Sequence, residues 1–246
     1  MTVAKKAIKP KYETLTSWSF SVYTQWVKCA YSVYLEKVKR IRIQEPPNPA
    51  FEKGNRVHAA ADAAVRGRRS SKAELQPELI PVKTLLDKFR KLKAVTEQEW
   101  AFDRQYNVVD WRDWKRAWLR IKTDLCAVTP GKTPHVDIVD WKTGKQHPEH
   151  AQQRSLYALG GLRLVQLGAL ADGAKQVDLT AQHVYVESGI TATEDYTMKN
   201  LPALTREWES RVKNMMSDTE YRITPGWHCR FCKFRKSAGG PCPEDK

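Results

Sequence analysis

Apolar residues recur three or four positions apart along several stretches of the chain, and capping residues, glycines and prolines separate these stretches. This spacing places the apolar side chains on one face and predicts amphipathic helices. One or two helices are expected over residues 14–41, and a further one from near Asn48 to Gly67. Three more helices are expected over 77–93, 148–168 and 201–218.

Runs rich in β-branched, aromatic and other apolar residues predict four strands. They cover residues 96–103, 117–128, 135–141 and 177–188. The turn sequence TPGKTP connects the second run to the third, which indicates a hairpin. The order of elements, helices followed by three strands, a helix, a strand and a helix, predicts an α/β (α+β) fold.

Composition limits the classes of protein and partner. With 246 residues, 41% of them hydrophobic, the chain can form one substantial core or at most two small ones, and we expect one elaborated domain. The 42 Lys and Arg residues exceed the 28 Asp and Glu residues, so the formal net charge is +14. Such a charge favours polyanionic partners, with nucleic acid first and a membrane surface as the competitor.

The sequence also indicates where the protein is located. We find no run of about 18 apolar residues and no signal peptide, so we expect a cytoplasmic protein, in the host cytoplasm if phage-encoded. Its five cysteines should then be thiols or metal ligands and not disulfides.

Acidic and basic side chains interrupt the short apolar stretch VDIVDWKTGK at 136–145. In an extended chain Asp140 and Lys142 share one face, and Asp137 points to the other, where we expect a structural role. An isolated pair of this kind is typical of a solvated strand edge with a weak salt bridge. The hairpin brings Asp124 beside Asp140 if the register places both on one face, which the sequence leaves open. Two carboxylates and an ammonium would then suit a hard divalent cation and an attacking water.

Asp124 followed by the run DWKTGK at 140–145 resembles the core of the PD-(D/E)XK nuclease superfamily, in its RecB-like branch. Two further motifs extend the resemblance from about residue 14 to the tail. GNRVH places His58 where this branch has a metal-binding histidine, and QRSLY supplies Gln153 and Tyr157 of its Q-x-x-x-Y motif. The resemblance implies a restriction-endonuclease-like core, with a central mixed sheet flanked by helices and a cysteine-rich C-terminal tail.

The resemblance also implies roles for these residues. Mg²⁺ or Mn²⁺ would be bound by His58, Asp124, Asp140 and the main-chain carbonyl of Trp141. Lys142 would orient or polarise the attacking water, so that Asp124, Asp140 and Lys142 are the catalytic residues. Gln153 and Tyr157 would contact the DNA backbone or position the catalytic elements. On the preceding strand, Glu97 and Glu99 are candidates for a further acid.

Three cysteines in the tail, Cys229, Cys232 and Cys242, have the spacing C-x2-C-x9-C. This spacing alone allows a zinc knuckle with His228 as the fourth ligand. The N-terminal stretch that contains Cys29 resembles the S-x-S…C-P-x-x-Y helix of iron–sulfur RecB-like nucleases of the AddB and CRISPR-associated types. That resemblance implies a [4Fe–4S] cluster on Cys29, Cys229, Cys232 and Cys242, although Ala30 replaces the usual proline and the last gap is longer than usual. Cys126 is expected to be an ordinary buried thiol.

Four runs interleave basic and aromatic residues, as expected for phosphate contacts beside stacking surfaces, although each run also fits a solvated face. They are 66–72, 88–93, 111–120 and 229–236. Within the third run, Trp111, Trp114 and Trp118 fit core packing equally well. Because no base-reading motif is present, we expect binding to DNA, duplex or single-stranded, without sequence preference.

The expected function is that of a metal-dependent DNA nuclease, most simply an exonuclease that processes DNA ends for recombination, as in phage-type or CRISPR-associated enzymes. The alternatives are a structure-specific endonuclease and a catalytically silent DNA-binding module of the same fold. A recombination or annealing protein is an expected partner. We expect a basic, poorly ordered segment over 1–13 and one nuclease domain over 14–246. Its parts are a helical region at 14–95, a catalytic core at 96–217 and the cysteine-rich tail at 218–246.

Overall fold

The computed structural model describes residues 13–44, 48–67 and 76–244. The expected basic lead-in therefore lies outside the described residues except for Glu13, as does most of the basic run 66–72. The chain divides into two compact units, one formed by Met1–Pro46 with Glu209–Lys246 and the other by Pro47–Trp208. Within the described ranges, no helix is both long and apolar enough to cross a membrane.

A six-stranded mixed sheet forms the centre of the larger unit. Its strands are β1 (Val95–Phe102), β2 (Val108–Val109), β3 (Leu119–Thr129), β4 (His135–Lys142), β5 (Asp178–Tyr185) and β6 (Ile190–Thr197). The spatial order is β2-β1-β3-β4-β5-β6, and β4 and β5 are parallel while the other neighbours are antiparallel. The predicted hairpin is confirmed, with Leu125 opposite Val139.

The helices of the chain agree with the apolar spacing of its sequence. They are α1 (Phe20–Lys28), α2 (Ala30–Val33), α3 (Pro49–Val65), α4 (Lys83–Lys91), α5 (Glu149–Gln166) and α6 (Leu201–Met216). A π-helical turn (Tyr34–Val38) follows α2, and a 3-10 turn (Pro77–Val82) precedes α4. Asn48 caps α3, because its side chain accepts a hydrogen bond from the backbone N–H of Ala50.

Helices cover the sheet of the larger unit on both faces. Val57 of α3 and Phe89 of α4 are fully buried in one core with Leu125, Val139 and Trp141 of the central strands. Helix α5 packs closely on β3 and β4 through two consecutive glycines. A Cβ atom at Gly160 would lie 2.6 Å from Ile121 Cδ1, and one at Gly161 would lie 2.6 Å from Ile138 Cδ1. The predicted α/β fold with a mixed sheet flanked by helices is therefore confirmed.

The smaller unit joins the N-terminal helices to the C-terminal tail. Tyr34 and Leu35 share a small core with Tyr221 and Phe234, against which Cys232 and Cys242 are packed. Polar contacts strengthen this union. Trp26 Nε1 donates to Asp218 at 2.8 Å, and Lys233 Nζ lies 3.1 Å from a carboxylate oxygen of Glu36.

Candidate active site

Asp140 and Lys142 point to the same side of β4, as their alternation in the sequence predicts. Lys142 Nζ lies 2.7 Å from Asp140 Oδ2 and donates a hydrogen bond to Gln153 Oε1 at 3.1 Å. Asp140 is buried, whereas the side chain of Lys142 is 21% exposed. The ammonium group therefore lies between a buried carboxylate and solvent.

Helix α5 supplies two side chains that hold this pair. The hydroxyl of Tyr157 donates to Asp140 Oδ1 at 2.5 Å, and Gln153 Nε2 donates to the same hydroxyl at 2.7 Å. Gln153 and Tyr157 are four residues apart and so share a helix face. The two glycines of α5 permit the close approach of helix and sheet on which these contacts depend.

The ionisation of Asp140 and Tyr157 follows from their burial and contacts. Burial raises the pKa of Asp140, but the charge of Lys142 and the hydrogen bonds from Lys142 and Tyr157 outweigh burial, so the pKa lies below its ordinary value. Burial and the charge of Asp140 hold the pKa of Tyr157 well above its ordinary value. Asp140 is therefore a carboxylate and Tyr157 a neutral donor at neutral pH.

Asp124 lies on β3 between His58 of α3 and the backbone of β4. Asp124 Oδ1 is 3.1 Å from His58 Nδ1, and Asp124 Oδ2 accepts a hydrogen bond from the N–H of Trp141 at 2.7 Å. Burial and the charge of Asp140 raise the pKa of Asp124 in spite of the hydrogen bond from His58. Burial lowers the pKa of His58, but the hydrogen bond and charge of Asp124 outweigh it and the net shift is upward. The two carboxylates thus have pKa values displaced in opposite directions, as in sites where neighbouring acids take different roles.

The donor set fits a hard divalent cation in its chemistry, since two carboxylates, an imidazole and a main-chain carbonyl offer oxygen and nitrogen ligands. As they stand, however, Asp124 is bound to His58 and Trp141, and Asp140 to Lys142 and Tyr157. Throughout the described residues, no three His, Cys, Asp or Glu side chains form a ready metal-binding group. A bound metal ion would therefore replace some of the protein partners of both carboxylates.

A cavity of about 740 Å³ opens beside Asp124 and His58. Its lining also includes Glu97 and Lys122, which form an ion pair of 2.8 Å. Glu97 has a φ of 52°, a left-handed conformation that is costly for a residue other than glycine. Glu99, the other candidate acid, lies opposite Lys122 in the β1–β3 pairing and does not line this cavity. The distortion of β1 is thus at the level of Asp124, because Thr96 and Gln98 pair with Leu125 and Thr123.

Two buried side chains near Asp140 had not been identified from the sequence, His183 on β5 and Arg154 on α5. His183 lies directly opposite Asp140 in the parallel β4–β5 pairing, and its Nε2 is 4.0 Å from Asp140 Oδ2. Arg154 Nη1 lies 3.3 Å from His183 Nδ1, and Arg154 Nη2 lies 2.9 Å from Glu194 Oε1. Because a guanidinium only donates, Nδ1 is the acceptor and the proton of His183 is on Nε2, towards Asp140. Burial lowers the pKa of His183 to about 3, so the ring is neutral.

The four cysteines expected to act together lie around one cavity of the smaller unit. This cavity has a volume of about 360 Å³, and its lining includes Cys29, Cys229, Cys232 and Cys242. Burial, together with the neighbouring cysteines, raises the pKa of Cys232 and of Cys242. Cys126 is buried on β3 in the other unit, and burial raises its pKa to about 12, as expected for an unreactive thiol.

Comparison with known proteins identifies the family. A model of the PD-(D/E)XK nuclease superfamily matches residues 17–237. A comparison with curated proteins yields no match. Among solved structures, the crystal structure of SSO0001 matches with 13% sequence identity and a TM-score of 0.42, covering 94% of this chain and 88% of that one. Because the family model spans most of its length, the chain belongs to the PD-(D/E)XK nuclease superfamily.

Proposed function

We propose that this chain is a divalent-metal-dependent deoxyribonuclease that acts as an exonuclease at DNA ends. The observation that carries the proposal is the Asp140–Lys142 pair, which is held by Gln153 and Tyr157 next to Asp124. Members of the superfamily are hydrolytic nucleases of DNA that typically use Mg²⁺ or Mn²⁺. The net charge of +14 favours association with a phosphate backbone of any sequence.

His58, Asp124, Asp140 and the carbonyl of Trp141 would hold Mg²⁺ or Mn²⁺. In a strand the N–H and C=O of one residue point towards the same neighbouring strand, so the Trp141 carbonyl faces the side of Asp124, to which its N–H donates. When bound, the ion supplies Lewis-acid stabilisation of charge on the phosphate and acidifies the nucleophilic water. The donor chemistry of these residues supports the assignment.

Lys142 would orient the attacking water and stabilise the negative charge that develops as water adds to phosphorus and the bond to the leaving oxygen breaks. Its position between buried Asp140 and solvent supports this role, because the carboxylate holds the ammonium group in place. Tyr157 is 2% exposed, so its side chain cannot contact the DNA backbone. We therefore assign Gln153 and Tyr157 to positioning Asp140 and Lys142.

A catalytically silent DNA-binding module is the second candidate. A copy without activity gains nothing from keeping a buried carboxylate, which is costly to desolvate unless a cation and hydrogen bonds compensate it. Asp140 retains the cation Lys142 and the donor Tyr157. This retention favours an active enzyme over the silent module.

We also propose that Cys29, Cys229, Cys232 and Cys242 bind a [4Fe–4S] cluster, with structural Zn²⁺ as the alternative. Four thiolates satisfy the requirement of such a cluster, and all four side chains line one cavity. The cluster would hold the N-terminal helices to the tail and take no part in cleavage. Iron, sulfide and zinc analysis of anaerobically purified protein distinguishes the two metals.

We also propose a substrate, a partner and a location for the protein. The substrate would be DNA of any sequence, a recombination or annealing protein would be the partner, and the cytoplasm would be the location. The charge and the absence of a base-reading motif in the sequence support the first of these.

The exonuclease activity is tested with end-labelled linear DNA beside a closed circular single strand, each incubated with Mg²⁺ or Mn²⁺. We expect degradation of the linear DNA only, and loss of this activity in Asp140→Asn and in EDTA. Cleavage of the circle would make the protein an endonuclease. Binding of both substrates without cleavage of either would leave the silent module as the function.

A further inference from the structure

The connection between β1 and β3, residues 103–118, presents a tryptophan that the cleavage chemistry does not use. Trp114 is 72% exposed. Trp118, four residues on, is buried and packs edge-on against Tyr106 with ring centroids 5.7 Å apart. Of the three tryptophans of this connection, Trp118 therefore belongs to the core, Trp111 is half-buried, and Trp114 extends into solvent.

The guanidinium of Arg120 packs against one face of the Trp114 ring. The guanidinium of Arg120 lies 4.4 Å from the ring centroid of Trp114, within the range of a cation–π contact. Arg120 is itself buried and donates to the main-chain oxygens of Trp111 at 3.1 Å and Ala117 at 3.3 Å. The ring of Trp114 thus has a fixed cationic support on one side, and most of its surface faces solvent.

The acidic residues of the connection organise its backbone. They are Asp103, Asp110 and Asp113, and each of them accepts hydrogen bonds from backbone N–H groups within the connection. The basic residues are all exposed, and these are Arg104, Arg112, Lys115 and Arg116, of which Arg116 is ion-paired with Asp113 at 2.6 Å. An ordered loop therefore carries both an exposed aromatic ring and exposed cations without an acidic partner in the loop, Arg104, Arg112 and Lys115, which complement a phosphate backbone.

The connection extends from the edge of the sheet at which β4 ends in Lys142. Phe102 at the end of β1 pairs with Leu119 at the start of β3, and β3 runs antiparallel to β4. Leu119 precedes Asp124 by five residues, which in a strand is about 17 Å. The same length corresponds to about five base steps of one DNA strand. A DNA strand bound at the catalytic site would therefore reach the connection within a few nucleotides.

We propose that Trp114 stacks on an unpaired base of single-stranded DNA while the neighbouring cations contact its phosphates. Within a duplex both faces of a base are covered by its neighbours, so an exposed indole ring finds a free face on an unpaired base. This inference rests on the proposed nuclease function and deepens it, because it names single-stranded DNA as the substrate class.

The test measures binding in EDTA by fluorescence anisotropy, so that cleavage does not contribute. The probes are a labelled single strand, the same strand with abasic nucleotides at its centre, and a blunt duplex of the same sequence. We expect Trp114→Ala to weaken single-strand binding about tenfold, which is about 1.4 kcal/mol. Wild type should lose a similar factor on the abasic strand, and Trp114→Ala should lose nothing further there. Trp114→Phe should restore most of the affinity.

Trp227→Ala is the matched control, because Trp227 is 75% exposed and lies in the other unit. An equal loss in this control, or unchanged single-strand binding by Trp114→Ala, would overturn the inference. A loss confined to the blunt duplex would assign Trp114 to a terminal base pair. A wild-type dimer that Trp114→Ala abolishes without affecting DNA binding would assign the surface to a second copy of the chain. Failure of cleavage with the expected binding results would refute the nuclease and leave this site standing.

Discussion

Replacing Tyr157 with phenylalanine removes one oxygen atom, the donor to Asp140 Oδ1 at 2.5 Å. Both residues are buried, so water cannot replace the lost hydrogen bond. Hydrogen bonds to charged groups contribute about 1.5–3 kcal/mol to stability. Gln153 Nε2 remains 3.5 Å from the same oxygen and compensates in part. We therefore expect the free energy of unfolding to fall by about 2 kcal/mol, which lowers Tm by about 4–8 °C in a chain of this size.

The pH dependence of this loss has a definite sign. The pKa of Asp140 is lower in the folded state than its ordinary value of 3.8, so the carboxylate stabilises the fold above that value and this contribution disappears as the pH falls. The difference between wild type and Tyr157→Phe should stay constant from pH 8 to pH 5. Below about pH 4 it should shrink, because Asp140 becomes protonated and the hydrogen bond loses its charge.

Tyr185→Phe is the matched control for the assay, which is urea unfolding followed by tryptophan fluorescence. The Tyr185 hydroxyl lies 2.6 Å from His150 Nδ1, and burial lowers the pKa of His150 to about 4. A hydrogen bond between neutral groups contributes about 1 kcal/mol, half of the loss expected for Tyr157→Phe. Equal losses in the two variants, or a loss at Tyr157 that grows as the pH falls, would refute the reasoning.

Two further predictions concern the smaller unit. Cys29→Ser should remove iron and lower Tm, measured by metal analysis and thermal unfolding, whereas the control Cys126→Ser should keep the iron; unchanged Tm and colour would remove Cys29 from the cluster. Glu36→Gln should lower the free energy of unfolding by about 1 kcal/mol at pH 7 after allowance for solvent screening. Burial raises the pKa of Glu36, but Lys37 and Lys233 outweigh burial and lower the pKa to about 2. Its contribution is therefore present above pH 4.5 and lost as the pH falls towards 2, and urea unfolding that gives the same loss at pH 2 as at pH 7 would contradict it.

Elements with a buried face could be predicted from the sequence, and elements without one could not. Strand β4 is buried along nearly all its length, and α5 is buried on all sides from Arg154 to Leu162, so both are rich in apolar residues. Strand β6 is an edge strand of the sequence ITATEDYT whose residues are exposed or half-buried, and β2 has two residues. Both of these were missed, because their positions depend on pairing with a neighbour and not on their own composition.

The placement of Asp140 beside Lys142 could be predicted for a similar reason, since alternation alone puts both side chains on one face. The position of His183 opposite Asp140 could not be predicted, because it depends on β5 lying next to β4, and strand order is a property of the whole sheet. The left-handed backbone of Glu97 is also beyond local propensity, because strands disfavour it. Likewise, Trp114 and Trp118 lie four residues apart among similar neighbours in the sequence, so only tertiary packing determines which of the two is buried.

Single-turnover cleavage by Lys142→Ala tests the central claim most directly, with DNA affinity measured on the same samples. Lys145→Ala is the control, since Lys145 is an exposed lysine three residues away. We predict that Lys142→Ala lowers the cleavage rate by on the order of 10²- to 10⁴-fold and leaves the Kd for DNA within about twofold, because in the proposed mechanism Lys142 would act on the transition state and many cations would supply affinity. Lys145→Ala should cleave at nearly the wild-type rate. Wild-type cleavage by Lys142→Ala, or equal losses of rate and affinity, would contradict the account.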